Sequence, residues 1–538
     1  MSDSWLAGRR PYALLGLLCL CLYLPGIAAI PVTDRDEARF AQATRQMLES
    51  GDFLHIRFQD EARNNKPAGI YWLQAAAVGA LSTPQSTAIW PYRVPSLVGA
   101  TLAVLFTFGF SRASFGDARR ALIGAVLLAT ALGTVAEAHL AKTDAALLGA
   151  ITAGQGALGL AYSRARVGER VGPGIAVTFW LAEIAAIYLK GPVGPGLAVI
   201  TAATLIIADR DARWLRGLRP LIGIVVSVLA VAPWLLAIEH ATEGQFLQQS
   251  VGHDLWAKIM GGQESHGAPP FYYLGLAFLT FWPGSLYLNR AVVGGWQRRA
   301  EPAARYLLAW LIPGWIVLEL VPTKLPHYAL PLYPALALLA AGVVTGDNPR
   351  RSWLWQVGDT GLWLLATFVL AAALILAPVK FGAGVMPAGI VSAIALIILA
   401  AILLQPGSTR ITALTIALSL AFAVPAAFIV PRLDRLWLSR AAAALATQNT
   451  PAAGATLTVI GYHEPSLVFL LNDGFKTGMG DAPLAAGDEA LVGDRLAPAF
   501  WKNLLAHGLR AWAIHTVGGI DYSNGQQMTL TLYQIVPR

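Results

Sequence analysis

The acids that could do chemistry come first, directly after an apolar run. Thr33-Asp34-Arg35-Asp36-Glu37-Ala38-Arg39-Phe40 follows the apolar stretch 12–30 and places three carboxylates within four residues. Carboxylates this close to lipid are costly unless they are solvated or used. A solvated loop explains them, and so does a general base or a metal-binding carboxylate at the membrane surface. The spacing predicts a helix continuing to about position 49, on which Asp36 and Arg39 share a face. A neighbouring guanidinium keeps a carboxylate ionised, and an ionised carboxylate is what deprotonating a hydroxyl requires. Asp36, Glu37 and Arg39 are therefore candidate catalytic residues.

Cations and aromatics mark the other candidates. Lys66-Pro67 stands before Tyr71-Trp72 at the head of a short apolar segment. Such a lysine either snorkels to the interface or binds a phosphate as a point charge. Thr143-Asp144 opens another apolar run, where Asp144 is either a helix cap or a functional intramembrane acid. Lys190-Gly191-Pro192 breaks two further runs, and Lys190 is an anchor or a phosphate contact. The polar segment 238–270 carries His253, Glu264 and His266, and Lys324-Leu325-Pro326-His327-Tyr328 begins a later run. Tyr71, Trp72, His253, Glu264, His266 and His327 are candidate cavity residues. Histidines and a carboxylate on one face could bind a divalent metal, with His266 and Asp36 as the candidate pair. No tight ligand spacing requires it.

The elements that position these residues are membrane helices. The chain has 538 residues, 56% hydrophobic and 13% charged, against about 25% charged in soluble proteins, and its mean hydropathy is +0.55. Spanning a bilayer takes about 20 apolar residues. Thirteen stretches qualify: 12–30, 94–111, 121–139, 145–162, 174–189, 191–208, 217–237, 271–289, 305–322, 327–345, 355–378, 384–405 and 410–430. The first is read as a retained helix rather than a cleaved signal, with Arg9 and Arg10 at its cytoplasmic start. Five arginine-bearing loops, near 112–120, 164–170, 209–219, 290–305 and 350–351, fall on one side only if 68–82 does not cross. That segment is therefore expected to lie at the outer interface. The candidate residues then gather on the face opposite the arginine loops, which is expected to be the outer one. Cys19 and Cys21, both in the first run, suggest neither a disulfide nor a metal site. No basic run with interleaved aromatics points to nucleic acid.

Residues 1–430 are expected to form the membrane domain, with a periplasmic catalytic loop and juxtamembrane helices over 31–93. Residues 431–538 are expected to form a small periplasmic α/β domain. Helices are expected at 439–448 and 497–507, and strands at 456–461, 511–516 and 528–536.

Taken in order, these motifs resemble the bacterial aminoarabinose transferases, relatives of the protein O-mannosyltransferases. The resemblance rests on Asp36–Phe40, Lys66-Pro67 before an aromatic pair, Thr143-Asp144, Lys190-Gly191-Pro192, and Lys324-Leu325-Pro326-x-Tyr328-x-Leu330-Pro331. It is strongest over 30–145 and 185–335. It implies a GT-C fold of about 13 transmembrane helices with a small C-terminal α/β domain. It implies a monomeric inverting glycosyltransferase of the inner membrane that moves a sugar from a polyprenyl-phosphate donor to a lipid A-like or other envelope acceptor. Asp36 would activate the acceptor and Asp144 would be a second essential acid. Lys66 and Tyr328 would hold the donor phosphate, with Lys190 and Lys324 as further contacts. The family has a glutamate before its Lys-Pro, implicated in metal binding, where this chain has Asn65. The alternatives are a protein O-glycosyltransferase of the same fold, or a flippase of lipid-linked sugars. A flippase needs polar residues at mid-membrane, where Glu183 and Glu319 stand out.

Overall fold

The structure is a computed structural model that describes residues 6, 8–33, 35–250, 252, 268–346, 349, 352–405, 421–448, 455–472 and 474–538. The protein crosses the membrane several times. Among the described residues, eight helices are long and apolar enough to span, and a bent pair adds a ninth.

In chain order the membrane part begins with α1 (Arg10–Tyr23), α2 (Asp36–Ser50), β1 (Arg57–Phe58), β2 (Glu61–Ala62) and α3 (Gly69–Leu81). It continues with α4 (Trp90–Phe115), α5 (Ala118–Thr130), α6 (Leu132–Ala138), α7 (Asp144–Arg166), α8 (Pro173–Lys190), α9 (Val193–Asp209) and α10 (Pro220–Ala241). Then come α11 (Tyr272–Thr280), α12 (Leu288–Gln297), α13 (Pro302–Leu320), α14 (Tyr333–Thr345), α15 (Ser352–Lys380) and α16 (Pro387–Leu404).

Four expected spans differ. The stretches 12–30 and 191–208 form the shorter apolar helices α1, of 14 residues, and α9, of 17 residues. The stretch 271–289 does not form one helix. Pro283 and Gly284 end α11 after nine residues, and a 3₁₀ turn, Gly284–Tyr287, leads into α12. The stretch 121–139 bends by 59° between α5 and α6. The backbone freed at the bend is repaired from a neighbour, because Leu132 N donates to the Trp282 carbonyl at 3.0 Å. Irregular backbone at membrane depth survives only with such partners. Most of 410–430 lies outside the described residues. Helix α3 has 13 residues, about 20 Å of rise, too short for a hydrocarbon core of about 30 Å.

Helix α7 lies at the centre of the bundle. Small residues let its neighbours close in: a Cβ added at Gly99 of α4 would meet the Ala146 Cα at 2.4 Å, and one at Gly149 would meet the Gly99 carbonyl oxygen at 2.7 Å. Glycine at both positions brings the two backbones into direct contact, as small residues do in membrane bundles.

The C-terminal part is a small sheet domain. It contains α17 (Leu438–Gln448), β3 (Leu457–Ile460), α18 (Pro465–Leu471), β4 (Lys476–Gly478), β5 (Glu489–Gly493), α19 (Ala497–Ala506), β6 (Leu509–Asp521) and β7 (Gln526–Pro537). The strand order is β4-β3-β5-β7-β6. Strand β3 runs parallel to β4 and β5, and β7 runs antiparallel to β5 and β6. The sequence reading had no α18, β4 or β5, whose short runs lack a clear period.

Helix α18 docks this domain onto the membrane part. Phe469 is fully buried and packs edge-on against Tyr92, with ring centroids 5.5 Å apart. The guanidinium of Arg45, on α2, lies 4.1 Å from the centre of the Phe469 ring. Arg45 also donates to the carbonyls of Phe469 at 2.7 Å and Ser86 at 2.9 Å. Deleting the Phe469 ring should cost about 3 kcal/mol of this docking. Limited proteolysis of Phe469→Ala in detergent should therefore release the tail near 431–438 while the membrane part stays whole. A cleavage pattern like that of the parent protein would refute the docking role.

Candidate active site

The site begins with a buried staple. Glu37 is almost wholly enclosed, and its carboxylate takes a two-pronged ion pair from Arg93, 2.8 Å to Nε and 2.9 Å to Nη2. It also accepts from Thr33 N and Oγ1 at 2.8 and 2.9 Å and from Ala141 N at 2.8 Å. The remaining N–H groups of Arg93 go to the carbonyls of Ile27, Ile30 and Pro31. All five donors of the guanidinium are thus used. Burial alone would push the Glu37 carboxyl up; the Arg93 charge and the hydrogen bonds outweigh it and hold it below its usual value. The expectation of a catalytic Glu37 is corrected here: with both oxygens occupied inside protein, it is a structural acid.

The staple sets Asp36 against a second cluster. Asp36, the first residue of α2, keeps its side chain 54% exposed, with Arg63 Nη2 3.9 Å away. The described cation beside it is therefore Arg63, from the strand-turn insert, rather than Arg39, which is half-buried further along α2. Arg63 Nε also donates to the Tyr71 hydroxyl at 3.1 Å. Burial raises the Tyr71 phenol, Arg63 opposes that and Asp36 adds to it, so Tyr71 remains neutral.

Across from Asp36, Asp144 is buried at the start of α7 and lies 2.5 Å from Lys190 Nζ at the end of α8. Lys142 reaches Glu137 at 2.9 Å and Asp144 at 4.0 Å. The His327 ring lies between the two acids, with Nδ1 3.7 Å from Glu137 and Nε2 3.5 Å from Asp144. Lys190 Nζ also sits 4.9 Å from the centre of the Tyr328 ring. Burial would favour a neutral Lys142; Glu137, Asp144 and Asp36 overcome this and raise it, so it stays a fixed cation. Its stabilisation is complete below its usual value of 10.5 and fades only as pH climbs through the higher folded value.

The other expected residues divide clearly. Lys66 is half-buried in the turn before α3. Lys324 is not in the cluster. It is buried, and its ammonium caps the end of α13, donating to the carbonyls of Glu319 at 2.9 Å and Val321 at 2.6 Å. Glu319 itself caps the start of α11 through Tyr273 N and Leu274 N. Trp72 turns away from the site: it donates to the Phe53 carbonyl and packs on Tyr188 and Trp234. Adjacent helical residues face apart, so Tyr71 and Trp72 cannot both line one cavity. His253, Glu264 and His266 lie outside the described residues. Among the described residues no group of three metal-ligating side chains is gathered. Lys142 and Lys190 already occupy the carboxylates of Glu137 and Asp144, a donor set that suits an anion better than a divalent cation.

No protein-family model matches the chain. It is 26% identical over 371 residues, 68% of its length, to the undecaprenyl phosphate-alpha-4-amino-4-deoxy-L-arabinose arabinosyl transferase of Pectobacterium carotovorum subsp. carotovorum (strain PC1). It is 28% identical over 65% of its length to arabinosyl transferase 2 of that name from Pseudomonas fluorescens (strain Pf0-1). The matches span 64% and 62% of those relatives, less than two thirds of their own length. The crystal structure of ArnT from Cupriavidus metallidurans bound to undecaprenyl phosphate aligns with a TM-score of 0.74, over 99% of this chain and 98% of that one, at 19% identity. This chain has the ArnT fold. The Archaeoglobus fulgidus oligosaccharyltransferase tethered with an acceptor peptide aligns at 0.53, over 88% of this chain and 64% of that one, at 14% identity. The GT-C architecture implied by the motifs is the one observed.

Within this ArnT fold, sequence reasoning missed Arg63, Glu137 and Lys142 as site residues. Glu137 carried a signal, being an acid inside the apolar run 121–139. Lys142 adjoined a motif already noted. Arg63 carried none, because its role depends on the fold of the 51–67 insert.

The staple makes a testable claim. Glu37→Gln leaves the buried Arg93 charge uncompensated, at a cost of about 3–5 kcal/mol. Thermal unfolding in detergent at pH 7 should show a markedly lower Tm. Because the folded Glu37 carboxyl lies below its usual 4.5, its stabilisation is complete above that pH and fades as pH falls. The gap between parent and variant should therefore narrow on acidification; a gap that widened instead would refute the assignment.

Proposed function

We propose that this protein is a glycosyltransferase that moves a sugar from a polyprenyl-phosphate donor to a lipid or glycan acceptor of the cell envelope. The observation that carries the reading is a half-open carboxylate, Asp36, set opposite the fixed cations Lys142 and Lys190, which Glu137 and Asp144 anchor. The similarity to proteins named as arabinosyl transferases acting from undecaprenyl phosphate supports the donor class.

In this reading Asp36 takes the proton of an acceptor hydroxyl as that oxygen bonds to the anomeric carbon. The bond from that carbon to the phosphate oxygen breaks, and its electron pair leaves with the polyprenyl phosphate. Attack opposite the leaving group inverts the anomeric centre. Lys190 and Lys142 meet the charge that grows on the phosphate, which is where fixed donors lower a barrier. Tyr328, whose ring centre lies 4.9 Å from Lys190 Nζ, stands beside this cradle, and the motif resemblance adds Lys66 to it. Asp144 keeps Lys190 aimed when no donor is bound, and His327 fills the space between the two acids.

The membrane sidedness follows from charge. Arg166, Arg213 and Arg305 lie at the end of the bundle away from Asp36, and arginine in short loops marks the cytoplasmic face. That supports an inner-membrane enzyme whose site and sheet domain face the periplasm. Mass spectrometry of lipid A and surface glycans from a deletion strain would identify the acceptor and separate this reading from protein glycosylation.

Asp36→Asn should lower transfer by about 10²–10⁴-fold, measured in detergent with a polyprenyl-phosphate sugar, while donor binding and Tm stay near those of the parent. An Asp36→Asn enzyme that works at full rate would sink the reading.

A further inference from the structure

Helix α7 has 23 residues, so its far end lies about 33 Å from Asp144, enough to cross a hydrocarbon core of about 30 Å. There Asp209 accepts from the Tyr162 hydroxyl at 2.7 Å, pairs with Arg305, and has Arg166 3.6 Å away. Beside this knot an open crevice of about 680 Å³ lies between α9, the end of α12 and the start of α13. Its mouth carries Arg299, Arg305 and Trp296, and its wall is apolar, formed by Ile207, Leu308 and Ile312.

The mouth is cationic after its internal pairs are counted. Arg305 donates to the carbonyls of Arg299 at 3.0 Å and Ala300 at 3.2 Å, besides pairing with Asp209. Arg299 is exposed. It donates to the Trp296 carbonyl at 2.9 Å and stacks 5.1 Å from the centre of that indole. Arg166, Arg299 and Arg305 stand against Asp209 and the exposed Glu301, while Asp211, which also acts on Arg166, is matched by Arg213. The wall has the opposite character: Ile207 is 76% exposed, Ile312 is half-buried, and the buried Leu308 backs them along the helix surfaces toward mid-membrane. A soluble anion would use the mouth and leave the wall bare. A phosphodiester with acyl chains uses both, and basic pockets between membrane helices on the arginine-rich side recognise anionic lipid headgroups. A tryptophan at the rim suits the same interface.

We propose that this crevice is a binding site for an anionic glycerophospholipid of the leaflet opposite the catalytic cluster. Its phosphate is held by Arg299 and Arg305, and an acyl chain lies along Ile207 and Ile312. The site is independent of the donor cavity and would stand if the transfer reaction were reassigned.

The test is native mass spectrometry of the full-length protein in a neutral detergent, titrated with phosphatidylglycerol, phosphatidylcholine or inorganic phosphate. Phosphatidylglycerol should bind about tenfold more tightly than phosphatidylcholine, and Arg299→Gln should remove most of that preference. Ile312→Trp fills the groove without changing the charge and should weaken phosphatidylglycerol binding about as much, which keeps the test decisive if the arginine variant does not fold. Transferase turnover should be unchanged in either variant that folds. Equal binding of the two lipids, displacement of phosphatidylglycerol by millimolar phosphate, or unaltered binding in Ile312→Trp would each overturn the site.

Discussion

The arrangement of the candidate active site depends on one buried ion pair. Glu37 and Arg93 are both almost fully enclosed. Removing two charges from water is expensive, and attraction alone does not always repay it. Here the remaining hydrogen-bonding capacity is also satisfied, with backbone carbonyls at 27, 30 and 31 on the arginine and the amides of Thr33 and Ala141 on the carboxylate. The pair therefore joins four pieces of chain: the end of the first apolar run, the start of α2, the start of α4 and the turn before α7. Asp36 is covalently next to one arm of this staple and Lys142 is next to another. Fixing Glu37 fixes the two groups that face each other across the site.

Around that staple, charges are kept in balance. Asp36, Glu137 and Asp144 face Arg63, Lys142 and Lys190. Within a low-dielectric setting such a set is stable only when every member has a partner of opposite sign. It also prepares the site for an anion. A phosphate entering near Lys142 and Lys190 finds cations already desolvated and aimed, so little reorganisation is needed when charge develops. Asp36 differs from the other two acids in being half open to the outside, and in the proposed reaction that opening is where the acceptor hydroxyl would meet it.

The sheet domain is part of this construction. Its α18 inserts Phe469 between Tyr92 and the Arg45 guanidinium, and Arg45 lies on the same helix as Asp36. At the other end of that helix, Arg35 donates to the Ser523 carbonyl at 3.4 Å. Arg35 has φ 61°, a conformation that favours glycine and persists in other residues only where surroundings impose it. The helix that begins with Asp36 is thus gripped near both ends by the C-terminal domain.

The sequence by itself determined that this is a membrane protein with thirteen apolar stretches, that 68–82 is too short to cross, and that Asp36, Asp144, Lys190 and Tyr328 share one face. Apolar length and the side of the arginine loops are local properties, readable one segment at a time. Tertiary structure alone decided which charged residues are sealed inside protein and which open to the cavity. Glu37 sits beside Asp36 in sequence and has the same chemistry, yet one is sealed against Arg93 and the other opens to the cavity. Lys324 and Lys190 stand in equally suggestive motifs, yet one caps a helix and the other meets Asp144. Glu137, Lys142 and Arg63 joined the site only when α6, the turn before α7 and the 51–67 insert were brought together. A carboxylate's role is set by how much water it keeps and which cation reaches it, and both depend on residues distant in the chain.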